Sequence, residues 1–512
     1  MGILAVYDTV GIQNYIFSSN KMAENVGASK LVADIFKETL PKVISEETGE
    51  ELFYWKEHAA EALSDKLTVE VIFQGGGNAY VKFIDKGSSK AGDLFQSVTR
   101  EFLTQVSLEA RGVGIAVAAI ETDFSDTYKS DFKKLNDRLA LAKGSLNIPV
   151  FAGNQPITKQ SGRTGLPVSV VDRRYNNDEF LSRDQELKRK KYDKYKKKAQ
   201  IEIENFDDLA FDEGVDSLIA IIHADGNNMG CRIIDYMEKF KTYSEAVPEI
   251  RRLSKKIDEC YGVARKNTIS AFKEEYASYL LAQKKKYPGK SFNEKTPILE
   301  LIGDGDDTTI IICGRFAIDF AKNLLLEIEK TKEDNKPFPN DKPTACAGVV
   351  IFNKSYPFSE AYKLVEELCS SAKKPSRDNE GSYLDFHLHY SGGVSGLKKL
   401  RKLMYEVDGK TILRRPWCVS KDMENETPNF KWFEESILKI ADMPHNKIKA
   451  IRNAIGAGDK AAKLAVNQLR GLKLPEFALE PDEKRSSYAA LFDILEMLDC
   501  YVNLLSKGGK ST

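Results

Sequence analysis

Apolar and polar positions along the chain fall into two matching series of short runs. Residues 3–7 form an apolar run ending at Asp8, and residues 218–222 form another ending in His223-Ala224-Asp225-Gly226. Apolar runs at 69–73 and 79–84 flank Gln74-Gly75-Gly76-Gly77-Asn78, and runs at 298–302 and 308–313 flank Gly303-Asp304-Gly305-Asp306-Asp307. A short glycine-bearing loop between two β-rich runs predicts a hairpin at each place. Residues 114–120 and 346–352 read as further strands, each followed by a helix-like segment closing on Ala-Lys, at 131–143 and 360–373. In the second of these segments Ala361, Leu364, Val365, Leu368 and Cys369 recur at helical spacing. The same landmarks in the same order predict two copies of one β-α-β-hairpin-α-β unit.

Between the copies the pattern changes. Gly153, Pro156, Gly162, Gly165 and Pro167 make a loop-rich segment that leads into a densely basic stretch at 183–200. After residue 390 the chain reads helical, with candidate helices at 432–441, 446–454, 460–469 and 485–505 and a break at Gly456 and Gly458. The predicted class is α+β, with ferredoxin-like domains at 1–146 and 216–394, an insert at 147–215 and a helical C-terminal domain at 395–512.

Composition narrows the function classes. A chain of 512 residues exceeds what one core usually serves, and 42% hydrophobic residues suffice for several. The balance of 76 basic against 76 acidic residues gives no global attraction to nucleic acid or membrane. No run approaches the roughly 18 apolar residues of a membrane span. The N-terminus carries Asp8 within its apolar run and reads as a first strand, not a signal peptide. Seven scattered cysteines without a CxxC pair read as reduced thiols, so a cytoplasmic location is expected.

The second copy holds the chemical signal. Asp225 follows a buried-type strand, and Asp306 and Asp307 sit at a hairpin turn. If the two strands are neighbours, the three carboxylates converge at one sheet edge, where their repulsion calls for a cation. Mg2+ or Mn2+ suits such a site, because it takes a few carboxylates and fills its other positions with phosphate oxygens and water. Two ions about 3.5–4 Å apart would activate a hydroxyl and hold leaving pyrophosphate. Gly226 and Gly305 leave room for a triphosphate to approach the backbone. The plainer alternative is a polar hairpin tip with Asp225 as a helix cap.

These residues resemble a known family. His223-Ala-Asp-Gly-Asn-Asn-Met-Gly230 with Gly303-Asp-Gly-Asp-Asp307 is similar to the second palm domain of the polymerase-like large subunit of type III CRISPR effector complexes. Val10-Gly-Ile-Gln-Asn-Tyr-Ile16 and Gly75-Gly-Gly-Asn78 are similar to its first palm, whose hairpin lacks the acids, and Ser371-Ala-Lys-Lys374 and Gly381-Ser-Tyr-Leu-Asp-Phe386 match its later pattern. The resemblance, over roughly residues 1–390, implies synthesis of a cyclic oligonucleotide from ATP or another nucleoside triphosphate. It implies Asp225, Asp306 and Asp307 as catalytic metal ligands. It implies nucleotide contacts at Gly226, Asn227, Asn228, Gly305 and Lys373, and at Gly76 and Asn78 of the first palm. An RNA activator, effector-complex or defence-system proteins and a homo-oligomer are the implied partners, and no membrane.

The chain departs from that family in places. Its residues carry no HD nuclease motif, so DNA cleavage of that kind is not expected, residues 151–156 lack the cysteines of a zinc knuckle, and Asp304 stands where glycine is usual. These departures point to a stand-alone or divergent member. Other signals read as structural: Lys188–Lys198 as a solvated basic helix or insert, His387 and His389 as a strand pair without a third ligand, and Gly456-Ala-Gly458 as a loop. A non-catalytic two-palm scaffold for RNA or proteins is the competing function class.

Overall fold

The computed structural model describes residues 2–146, 157–173, 178–199, 201–212, 217–389, 396–420, 429–441, 443–468 and 483–505. The cysteine-free segment 151–156 lies outside them. The chain divides into two units. The first comprises Met1–Asn205, Asn228–Gly262 and Asp334–Asn340, and the second Phe206–Asn227, Val263–Glu333 and Asp341–Thr512.

In the first unit, strands β1 (Gly2–Val10), β2 (Val69–Gly75), β3 (Asn78–Ile84) and β4 (Gly114–Thr122) form a sheet in the order β2-β3-β1-β4, every pair antiparallel. This is the order of a β-α-β-β-α-β ferredoxin-like unit. Alternation along β1 sends Ala5 and Tyr7 to one face and Leu4 and Val6 to the other. Ala5 and Tyr7 pack with Phe36, Leu40 and Phe102 from the helical connections, and Leu4 and Val6 with Leu135, Leu139, Met237, Tyr243, Val247 and Ile250. A sheet covered on both faces explains why its strands read as continuous apolar runs instead of alternating ones. Buried Arg251 donates to Ile72 O at 2.7 Å and to Glu70 Oε1 at 2.8 Å, while Lys82 lies 3.2 Å from the other Glu70 oxygen.

The basic stretch is a helix with several exposed lysines, as read, but one side of it is buried, which corrects the fully solvated reading. It forms the helix Arg183–Ala199, preceded by a hairpin of β5 (Val168–Asp172) and β6 (Glu179–Ser182), and it packs on the helix Met22–Asp34. A side chain on Gly27 would meet Lys188 O at 1.8 Å, so the helices approach backbone to backbone. Lys188, Arg189 and Tyr192 are buried. The Lys188 ammonium donates to Tyr15 O at 2.9 Å and lies over the Tyr15 ring, and Arg189 bridges Glu24 at 3.0 Å and Asp172 at 2.7 Å. These partners lie far away in sequence, which is why the run looked uniformly solvated.

The second unit repeats the topology. β7 (Leu218–Gly226), β8 (Ile298–Asp304), β9 (Asp307–Cys313) and β10 (Ala345–Asn353) run antiparallel in the order β10-β7-β9-β8. β11 (Tyr383–His389) adds parallel to β10. After a small hairpin of β12 (Glu406–Val407) and β13 (Lys410–Thr411), β14 (Trp417–Cys418) closes that edge. The helix Phe358–Asp378 lies directly on β10, since a Cβ on Gly348 would come within 2.4 Å of Val365 O and 2.6 Å of Cys369 N. This close approach carries the helix's last turns over the end of β7.

Of the C-terminal helices, Phe430–Ile440, His445–Gly456 and Asp459–Gln468 follow the sequence pattern within a few residues. The helix expected at 485–505 is shorter, spanning Ala489–Met497. Beyond it, the Leu504 and Leu505 N–H groups donate to Asp319 Oδ2 at 2.9 and 2.7 Å instead of continuing the helix. Asp493, on the short helix, accepts from Trp417 Nε1 at 2.9 Å, which ties it to β14. All seven cysteines are free and all but Cys231 are buried. Among the described residues no helix is long and apolar enough to cross a membrane.

Candidate metal and nucleotide site

Sheet register brings the acids together. β7 pairs with β9 up to Ala224 opposite Thr308, so the next step sets Asp225 opposite Asp307. β8 and β9 pair to Asp304 opposite Asp307, leaving Gly305 and Asp306 as a two-residue turn. Gly305 takes φ +58, the left-handed conformation such turns require, and nothing lies within 4 Å of where its Cβ would be. The tip is therefore open to a ligand.

The helix Phe358–Asp378 supplies a cation. The Lys373 ammonium pairs with Asp225 Oδ2, whereas Lys374 points to solvent. Burial opposes the charge on Lys373, but Asp225 and Asp306 outweigh it and hold the ammonium above its ordinary pKa. The acids respond the other way. Desolvation, then the charge of Asp225, pushes the Asp306 carboxyl up to about 6. Desolvation by its neighbours, then Asp225 and Asp306, pushes Asp307 up to about 8, although the residue is exposed to solvent at the hairpin tip, which favours the charged form. Such a cluster favours protons or a cation over bare charge. A ring nitrogen of His223 and one carboxylate oxygen each of Asp225 and Asp307 all lie within 4.8 Å of one another. Burial lowers the His223 pKa to about 4, so the imidazole is neutral and has a lone pair to offer. Clustered carboxylates beside a neutral imidazole fit a divalent ion of the Mg2+ or Mn2+ kind.

The other candidates take varied places. Gly226 is buried at the end of β7, paired with Ala345. The Asn227 amide donates to Thr344 Oγ1 at 3.0 Å and to Gly381 O at 2.9 Å, fixing the loop after β7. Asn228 takes φ 51 and precedes the helix Met229–Met237, within the first unit. Gly76 and Asn78 lie in the first unit's own hairpin, where Gly75 pairs with Asn78 as Asp304 pairs with Asp307. His387 and His389 are buried on β11 with ring centroids 5.8 Å apart, and no third ligand joins them among the described residues.

One parallel between the units escaped the sequence. In the first sheet Asp8 lies opposite Asn78, the position that Asp225 takes opposite Asp307. Lys143, closing the helix Tyr128–Ser145, sits 2.9 Å from Asp8 Oδ1, as Lys373 sits on Asp225. The first unit thus keeps the acid–lysine pair and replaces the two hairpin acids with Gly77 and Asn78. The signal was present as Asp8 ending a strand and Ala-Lys ending a helix, but a lone acid carries no meaning until register pairs it.

Comparison with known proteins agrees with this fold. Residues 218–380 match the family described as Cas10/Cmr2, second palm domain. The solved structure of an apo Csm1-Csm4 cassette is similar at 12% identity over 98% of this chain and 70% of that one, with a TM-score of 0.53. The cassette in complex with cA3 is similar at 11% identity, 98% and 69% coverage and a TM-score of 0.53. The cassette in complex with one ATP gives 12% identity, 97% and 69% coverage and a TM-score of 0.51. No curated protein sequence matches. The fold likeness covers nearly the whole chain, and the chain is similar to the polymerase-like large subunit of type III CRISPR effectors.

Proposed function

We propose that this Cas10-like chain is a metal-dependent nucleotidyltransferase that joins ATP, or another nucleoside triphosphate, into a cyclic oligonucleotide messenger of antiviral defence. The observation that carries the reading is the register setting Asp225 opposite Asp307 with Asp306 at the adjoining turn. The solved relatives in complex with ATP, cA3 and cA4 support the substrate and product class. Effector-complex proteins and an activating RNA belong to the same reading, as does a homo-oligomer.

Asp225, Asp306 and Asp307 would hold the divalent ions. Bound there, Mg2+ or Mn2+ supplies charge neutralisation and makes the attacking hydroxyl more acidic. Lys373, beside Asp225, meets the negative charge of the triphosphate. Gly305 keeps a side chain out of the nucleotide's way, Gly226 lets the backbone approach it at the end of β7, and Asn227 and Asn228 shape the loop that follows. Gly76 and Asn78 are the corresponding nucleotide-binding positions of the first palm.

The test is product formation. The chain, with its effector partners and activating RNA, is incubated with each nucleoside triphosphate and Mg2+ or Mn2+, and products are read by mass spectrometry. A cyclic product is expected with the wild type. Asp306→Ala with Asp307→Ala should reduce it to background while circular dichroism stays native, because an open hairpin tip does not pack the core. No product with any nucleotide under these conditions would favour the scaffold reading.

A further inference from the structure

His223 precedes Asp225 by two residues on β7, so the two side chains leave the same face of the sheet. His223 is more than nine-tenths buried and meets the Tyr362 ring in a T-shaped contact, centroids 6.1 Å apart. Nδ1 hydrogen-bonds Thr309 Oγ1 at 3.1 Å across the strand pair, and the Thr309 hydroxyl is hydrogen-bonded in turn to Tyr362. Nε2 makes no hydrogen bond among the described residues. An imidazole with one nitrogen oriented by an outer partner and the other left over is arranged as metal-binding histidines are.

The spacing agrees. Ligands about 2.1 Å from a divalent ion stand at most about 4.2 Å apart. The His223, Asp225 and Asp307 ligand atoms, within 4.8 Å of one another, need only a small side-chain adjustment to converge. We propose that His223 is a protein ligand to a divalent ion held with Asp225 and Asp307, and that its imidazole biases the site toward Mn2+ and later first-row ions over Mg2+. The physical reason is ligand type: Mg2+ binds oxygen almost exclusively, whereas transition-metal ions gain from an imidazole nitrogen. The inference rests on the proposed function only in that a divalent ion binds these carboxylates.

The experiment reads the metal and not the reaction. Mn2+ is titrated into the full-length chain, and nitrogen coupling to the bound ion is measured by electron spin echo envelope modulation. Bound Mn2+ should show a directly coordinated nitrogen, and growth on 15N-histidine should convert its 14N pattern to the 15N one without any substitution. H223Q should abolish the nitrogen signal and weaken Mn2+ binding by about tenfold or more, the lower end of what loss of even an outer partner does to a metal site. Mg2+ affinity should change far less. Bound Mn2+ without nitrogen coupling, or coupling that persists in H223Q, overturns the assignment and leaves the carboxylate site standing. Failure of the wild type to bind Mn2+ at all overturns both this inference and the proposed function.

Discussion

Asp306 and Asp307 give the metal-free protein an unusual pH response. Their folded-state pKa values, about 6 and about 8, lie above the ordinary 3.8, so between these limits the native state binds protons that the unfolded chain releases. Their contribution to stability is therefore complete below about pH 4 and is lost as pH rises through the folded values. With chelator present, thermal melts should show Tm falling across that window. Mg2+ or Mn2+ should restore it most at the alkaline end, and the Asp306→Ala, Asp307→Ala protein should lack this slope; equal slopes in both proteins would refute the assignment. At this scale the convergence of the three acids was legible, because the matched strand and hairpin landmarks set them at one sheet edge. Lys373 was not separable from Lys374 by spacing, and only the placement of its helix on β10 decides between them. Asp8 was visible as the end of the first matched run, but its pairing with Lys143 was not, for want of its register partner.

Gly27 and Gly348 set how closely helices approach their neighbours. Gly348 admits the backbone of the helix Phe358–Asp378 onto β10, and that depth determines where Lys373 falls relative to Asp225. Gly348→Val should lift the helix, destabilise the protein by about 1–3 kcal/mol as overpacking does, and lower activity further than a stability loss of that size explains. Unchanged Tm and activity would mean that the helix accommodates the side chain elsewhere. Strands and hairpins were readable because a doubly covered sheet writes itself as apolar runs broken by turn residues. The buried side of the helix Arg183–Ala199 was not legible, because Lys188 and Arg189 there pair with distant groups such as Glu24, which periodicity cannot see. The helix at Ala489–Met497 was overextended because the apolar pattern continues past the point where Asp319 captures the backbone.

At the level of the whole molecule, the repeated strand order was legible from four landmarks, whereas the path of the chain between the units was not. That path crosses from one unit to the other after residues 205, 227, 262, 333 and 340. Met237, Tyr243, Val247 and Ile250, which cover Leu4, Val6 and Ile72, belong to a segment that follows the strand bearing Asp225. Arg251, the partner of Glu70, lies in the same segment. A fragment of residues 1–205 should consequently expose an apolar sheet face and a buried-type carboxylate. It should bind a hydrophobic dye and melt without cooperativity, and a sharp, reversible transition would contradict this. Cells meet the same problem during translation, because synthesis proceeds from the N-terminus and domains generally fold in that order. A ribosome making this protein displays an incompletely covered face of the first sheet until some fifty further residues (206–251) have emerged, an interval in which a chaperone or a slowed codon run would influence the yield.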